Sequence, residues 1–392
     1  MIDKRKWEHK TYELTCISPI HIGNGQVLKP YEYLFVKDRQ SRAYFLDHAK
    51  WMRFLLHHNL IDDYAEQVLK VKNLKLYSWL QSKQLGSPLS LISQISSDSA
   101  PVYFVRDSQK YVNDIVRQVK TPAGMPYIPG SSLKGAIRSA ILFHCIRQHP
   151  EAYRSFWPQL CSIMSGTNRK VSKEVQSVAA KMERETFSLL PQHTKSSNDA
   201  LQSVMKGIAI SDAMPIGNEK ETVILQKYDA SVIRGEGLKT RSLPIFRECI
   251  PTGRKLRFSL MLNREMVKFL GIHTANDIFK WLREYLTFGL TLEKRRFGRE
   301  YQGEFAESEL ADVLLGGGTG FFSKTVYYAL APEKEGQKVL AGFFDHILFT
   351  GRSCHHHQQK DDGLTPRTLK LAWVDSDHWI LGLASIKEVS SC

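Results

Sequence analysis

An α+β fold is predicted for this 392-residue chain by three observations. Segments of apolar alternation recur along it, segments of helical periodicity fall between them, and the two kinds do not follow the regular strand–helix–strand period of a doubly wound sheet. The length exceeds what one ordinary core serves, so two domains are expected, with a boundary near Pro251.

Residues 10–18 set Tyr12, Leu14 and Cys16 against Thr11, Glu13 and Thr15, which predicts a strand ended by Pro19. His21-Ile-Gly-Asn-Gly25 then reads as a turn, and residues 31–36 and 43–46 as two short strands around a polar link. Trp51, Phe54, Leu55, Tyr64, Val68, Val71, Leu74 and Trp79 recur at helical spacing. A helical insertion is therefore expected at about 47–83, followed by a serine-rich loop over 87–100. A helix is expected to start after a cap at Ser131 or Ser132 and to run to about 149. Residues 150–206 are polar, charged and poor in strand formers, and read as a second insertion with loop composition at Gln192-His-Thr-Lys-Ser-Ser-Asn-Asp199. Strand character returns at 223–228, 243–250 and 256–262, with Arg234-Gly-Glu-Gly-Leu-Lys-Thr-Arg241 as a connector. Residues 276–288 predict an amphipathic helix leading into Thr291-Leu-Glu-Lys-Arg-Arg-Phe-Gly298.

Lys and Arg number 54 against 40 Asp and Glu, a net charge of +14, with a sequence pI near 9.4. That excess favours a polyanionic partner, nucleic acid first. No apolar run of about 18 residues or more and no signal peptide at the start are seen, so a cytosolic protein without a membrane partner is expected. The six cysteines, at 16, 145, 161, 249, 354 and 392, form no CxxC pair, which points to reduced thiols rather than a disulfide framework or a cysteine zinc site.

Tyr127-Ile-Pro-Gly-Ser-Ser-Leu-Lys-Gly-Ala-Ile-Arg138 is the most informative stretch. Pro129 and Gly130 interrupt the preceding run, Ser131 or Ser132 is suited to N-cap, and Leu133, Ile137 and Ile141 repeat at helical spacing. Lys134 and Arg138 then lie four apart near the helix N-terminus, where the backbone dipole disfavours cations by roughly 0.3–1 kcal/mol. A bound phosphate reverses that sign, and Gly135 permits its close approach. A capped surface helix with two solvated cations satisfies the same residues.

This stretch resembles the signature of the RAMP superfamily of CRISPR proteins, a strand, then Pro-Gly-Ser-Ser-x-Lys-Gly, then a helix with an Arg. Tyr12-Glu-Leu-Thr-Cys-Ile-Ser-Pro-Ile-His-Ile-Gly-Asn-Gly25 is similar to the family's opening strand and glycine turn, and Ile208-Ala-Ile-Ser-Asp-Ala213 to its internal strand ending in Asp-Ala. Leu315-Gly-Gly-Gly-Thr-Gly-Phe-Phe-Ser-Lys-Thr325 and Thr365-Pro-Arg-Thr-Leu-Lys370 resemble, within that superfamily, the subunit named fifth in the type III-A Csm complex. The resemblance implies tandem ferredoxin-like (RRM-like) RAMP units: one over 1–250 carrying the insertions, and a divergent one over 251–392 carrying the glycine-rich loop. It further implies a non-catalytic crRNA-binding subunit that caps the backbone filament near the crRNA 3′ end and supports crRNA maturation in antiviral defence. The partners so implied are crRNA, target RNA, other Csm subunits, especially the backbone RAMP subunit, and host nucleases. An intrinsic endoribonuclease that trims crRNA, or a subunit acting mainly through protein contacts, are the alternatives.

The loop Gly316-Gly317-Gly318-Thr319-Gly320 with Lys324 is not a Walker A loop, because Ser323 stands where a glycine must precede the Lys-Thr pair. A helix beginning near Phe321 would nonetheless aim its amides at a phosphate. RNA contacts are thus expected at Gly130, Ser131, Ser132, Lys134 and Arg138, and at Gly316–Gly320 with Lys324. A second rank comprises His21, Lys239, Arg241, and the cluster Lys294, Arg295, Arg296 and Arg299, with Phe297 inside it as a stacking group. Such contacts set register without reading sequence. His21 has the chemistry of a general base but no motif supplies a partner, so a core or turn histidine is the simpler reading. Asp212 closes a strand and reads as structural. Cys354-His-His-His357 is read as a solvated loop, since three adjacent histidines cannot face one ion. No catalytic residue, metal or cofactor is assigned.

Overall fold

The computed structural model describes residues 6–105, 111–166, 170–188, 203–348, 355–374 and 377–389. It is an α+β arrangement with helical insertions, built on two sheets. The first runs Val313–Leu314, Leu383–Glu388, Trp7–Cys16, Lys255–Asn263, Ile208–Ile210, with Met214–Pro215 also on Lys255–Asn263. The second runs Gly23–Leu28, Ile115–Gln118, Gly237–Cys249, Val223–Ile233, Ser96–Tyr103, Arg42–Leu46, Tyr33–Val36. Thr368–Val374 also pairs with Val223–Ile233 and carries Asp377–Ile380 on its outer side. Each sheet draws strands from both sides of residue 250, which lies in the connection between Gly237–Cys249 and Lys255–Asn263.

Alternation made the inner strands of the first sheet. Tyr12, Leu14 and Cys16 are buried beside Leu256, Phe258, Leu260 and Leu262, against two long helices, Gly130–Gln148 and Ala275–Phe297. Each such side chain contributes roughly 1.5–3 kcal/mol by leaving water. The second helix starts with a capping box between Thr274 and Asp277 and buries Ile278, Trp281, Leu282, Tyr285, Leu286 and Leu292 at helical spacing. It continues to Phe297, so Lys294, Arg295 and Arg296 lie on its last turn and Arg299 just beyond it.

The first insertion forms helices His48–His57, Ile61–Lys70 and Leu76–Ser82 around its own core of Trp51, Phe54, Leu76 and Trp79. The loop expected over 87–100 is instead a short 3-10 turn, Pro88–Leu91, a helical turn, Ile92–Ile95, and the strand Ser96–Tyr103. Serine misled there: the Ser96 hydroxyl donates to the Phe45 carbonyl at 2.6 Å, while Ile95, Ala100 and Val102 supply apolar anchors. In the second insertion, Phe156–Met164 and Val171–Phe187 are helices that bury Phe156, Leu160, Val178 and Met182. The segment 192–199 lies outside the described residues.

Candidate nucleic-acid interface

Chain direction at the late glycine loop is dictated by His21. The Gly317 amide donates to the His21 carbonyl at 2.8 Å, and a Cβ on Gly316, whose φ is +89°, would fall 2.1 Å from that oxygen. Only glycine fits there. The two glycine turns, about 300 residues apart in sequence, are thereby locked together. The His21 ring is 3 % exposed and shares its Nδ1 with the Glu248 carbonyl at 2.7 Å; burial lowers its pKa and keeps it neutral. It is part of the joint, not of the surface.

Beneath the joint, Glu248 is fully buried yet paired, with Arg117 at 2.7 Å, Lys120 at 2.8 Å and the Thr222 hydroxyl at 2.6 Å. Burial alone would raise its pKa, but the two cations outweigh burial and hold it low. The loop after Gly320 does not start a helix as expected. It makes only a 3-10 turn, Phe322–Lys324, fixed by Thr319, whose hydroxyl meets the Ser323 hydroxyl at 2.9 Å.

Two cations meet at this loop. A Cβ on Gly318 would come 3.5 Å from the Arg247 guanidinium, and Lys324 has its pKa lowered by the packing around it and by Arg247. Among the described residues neither has a carboxylate within ion-pair distance, so each other's charge stands uncompensated. Strand register extends the charge. Lys227, Asp229 and Ser231 alternate on one face of Val223–Ile233, where Arg241 is directly opposite Asp229, Lys239 opposite Ser231, Arg247 opposite Leu225, and Lys370 opposite Asp229 from the other side. Asp229, at 2.9 Å from Lys370 and 3.3 Å from Lys227, is the acid of this row. Lys227 has its pKa lowered by burial and by Lys370. The opposite face, with Tyr228, Ala230, Leu369 and Leu371, packs into the core.

The strand Gly237–Cys249 thus carries Lys239 and Arg241, which the sequence placed in a connector. Lys227, Arg247 and Lys370 were missed as site residues. Their signal was the period of two that puts them on the polar face of strands whose other face is apolar.

The signature helix starts at Gly130, not after a serine cap. Its first N–H donates to the Asp212 carboxylate at 2.8 Å, so Asp212 is the cap and Ser131 and Ser132 lie in the first turn. A Cβ on Gly130 would strike the Ile210 carbonyl at 2.5 Å. Arg138 is engaged inside the chain, 3.1 Å from Glu183 and over the Phe187 ring. Lys134 is half-buried with its pKa lowered by burial and by Arg138, and Gly135 is open to solvent. Ala136 shares a small cavity with Thr319 and Ser323, so the structure brings the two sequence motifs together.

Elsewhere the basic cluster is partly spent. Lys294 pairs with Glu309 at 2.9 Å and Arg296 with Asp362, while Phe297 is 1 % exposed and has no face for stacking. Arg295 and Arg299 lie on the same helix end. Cys354 is outside the described residues; His357 is no solvated loop residue but a buried one, with its Nδ1 2.9 Å from Asp361. Among the described residues no group of three or more His, Cys, Asp or Glu is placed to hold a metal, and no helix is long and apolar enough to cross a membrane.

On this two-sheet α+β scaffold with its clasped glycine turns, the sequence model of the RAMP superfamily matches residues 13–323. The chain belongs to that superfamily. Within it the chain is similar to Csm5 of Streptococcus thermophilus, 23 % identical with 82 % of each chain covered, and to Csm5 of Mycobacterium tuberculosis, 23 % identical with 95 % of this chain and 96 % of the other covered. In structure it is similar to a chain of a type III-A Csm–crRNA–target RNA complex, with a TM-score of 0.67 and 17 % identity over 97 % of this chain and all of the other. It is also similar to the crystal structure of T. onnurineus Csm5, with a TM-score of 0.55 and 17 % identity over 95 % of this chain and 99 % of the other.

Proposed function

We propose that this chain is the non-catalytic crRNA-binding subunit of a type III-A Csm complex. It caps the filament of backbone subunits near the crRNA 3′ end, supports crRNA maturation, and works in the cytoplasm in antiviral defence. The observation that carries the reading is the meeting of Arg247 and Lys324 at the Gly316–Gly320 loop without a carboxylate partner among the described residues, beside the Lys227 and Lys370 row. Cations held together and partly desolvated are stabilised by an anion, and a phosphate backbone supplies a series of them. On this reading Ser131, Ser132 and Lys134 add contacts from the signature helix, whose Ala136 lies at the loop, and Lys239 and Arg241 add them along the sheet. The buried His21 leaves the alternative, an RNA-cutting site built on that ring, without an exposed base.

The test is a reconstituted complex carrying the chain with Arg247→Ala and Lys324→Ala. Retention of labelled crRNA weakens, and the slope of log affinity against log salt falls by about 1.4, the loss of two single-strand phosphate contacts. Unchanged retention and an unchanged slope would overturn the proposed site. Co-purification of the tagged chain without other Csm subunits or short RNAs would overturn the assignment to the complex.

A further inference from the structure

The cationic sheet face also carries one aromatic side chain whose surroundings differ from those of its neighbours. Trp379 lies opposite Ala372, which lies opposite Lys227, so the three form one cross-strand row on the same face. Trp373, on the facing strand but on the other side of the sheet, is packed edge-on to Tyr228 and 4.3 Å from the His378 ring. Trp379 has no such partner. Among the described residues it stacks on no ring and belongs to none of the four hydrophobic clusters. It is partly exposed, and its indole N–H, like that of Trp373, is turned inward with no hydrogen-bond acceptor, so the missing ring partner is what sets it apart. A large aromatic side chain normally contributes by packing on other rings and a bonded N–H, and here it has neither among the described residues.

Its position relative to the glycine loop is set by the strand. Leu381, two residues on and on the same face, is the residue that a Cβ on Gly318 would touch at 3.2 Å. Two strand residues span about 7 Å, which is about the distance separating a nucleotide's phosphate from its base. A phosphate at Arg247, Lys324 and the loop therefore leaves its base within reach of the Trp379 ring.

We infer that Trp379 is the stacking platform for one unpaired nucleobase of the bound RNA strand. This rests on the proposed RNA-binding reading and adds to it a base-contacting subsite that accepts any base through its π-face. Lys227, in the same row on the far side of Ala372, holds the adjoining backbone.

The experiment uses the reconstituted complex with crRNAs carrying 2-aminopurine at successive positions. One position is quenched in the wild-type complex, and Trp379→Ala removes that quench and speeds crRNA release about 10-fold. Trp379→Phe retains most of both effects. The salt slope is unchanged in all these variants, because no charge is lost. Trp379→Leu, which keeps the apolar bulk, guards against misfolding and behaves as the Ala variant does if stacking is the role. Unchanged quench and release in the Ala and Leu variants, while Arg247→Ala with Lys324→Ala still frees the RNA, would overturn the stacking subsite and leave the phosphate site standing. If the Arg247 and Lys324 variant is also silent, the RNA-binding reading itself fails.

Discussion

Glu293 sits on the inner side of the Ala275–Phe297 helix, 6 % exposed, with its Oε1 3.6 Å from where a Gly320 side chain would begin. Burial pushes its pKa up to about 8 against an ordinary 4.5, since Lys370, the cation that pulls it down, has its ammonium on Asp229. A raised carboxyl pKa means that the native state holds a proton the unfolded chain has lost. Stability should therefore fall as pH rises from about 4.5 to about 8 and be level above that. Glu293→Gln should flatten this slope and give the higher Tm at pH 9, read by thermal melts at pH 6 and pH 9; parallel curves for both proteins would refute it. At this scale legibility followed the motifs. Lys324 was visible because glycines surround it, whereas nothing local distinguished Arg247 from any strand arginine. Only the register that brings it under Gly318 does so.

Elements show the same division between local and distant causes. Both long helices were legible from periodicity, and so was the opening strand from alternation. The start of the signature helix was not, because its capping group is 82 residues away at Asp212 and two nearer serines offered a local answer. Asp212→Ala should cost about 1 kcal/mol of stability and Asp212→Asn only a fraction of that, because the amide oxygen still accepts from Gly130. Chemical denaturation of the two variants decides it; equal losses would mean that charge, not the cap hydrogen bond, is what Asp212 provides. Polar composition was also a poor guide to the strand Ser96–Tyr103, where Ser96 bonds to neighbouring backbone and Ser97 to the Asp47 carboxylate instead of marking a loop.

Over the whole molecule, the separate core under His48–Ile95 predicts two tiers of stability. Trp79, 4 % exposed, packs on Trp51 and Tyr64 and is absent from the main core. Trp79→Ala removes a substantial aromatic core contribution, about 3–5 kcal/mol, from that insertion alone. Amide exchange should quicken across the insertion while the Ala275–Phe297 helix keeps its protection. Uniform loss of protection would show one cooperative unit instead. The α+β class and the family's motifs were legible from end to end. The sharing of strands was not, because pairing between residues hundreds apart leaves no mark on composition or period.

The strand Trp7–Cys16 lies between Lys255–Asn263 and Leu383–Glu388. On the ribosome, Trp7–Cys16 must wait for its second neighbour until the chain as far as Leu383–Glu388 has emerged. At roughly 5–20 residues per second that delay is about 20 to 75 s. Throughout it one edge of Tyr12 to Cys16 has open amides and carbonyls, a period of exposure in which a chaperone or an assembly partner has its best access. A nascent chain stalled before Leu383 cannot close the sheet, so closure of the sheet reports synthesis past Leu383.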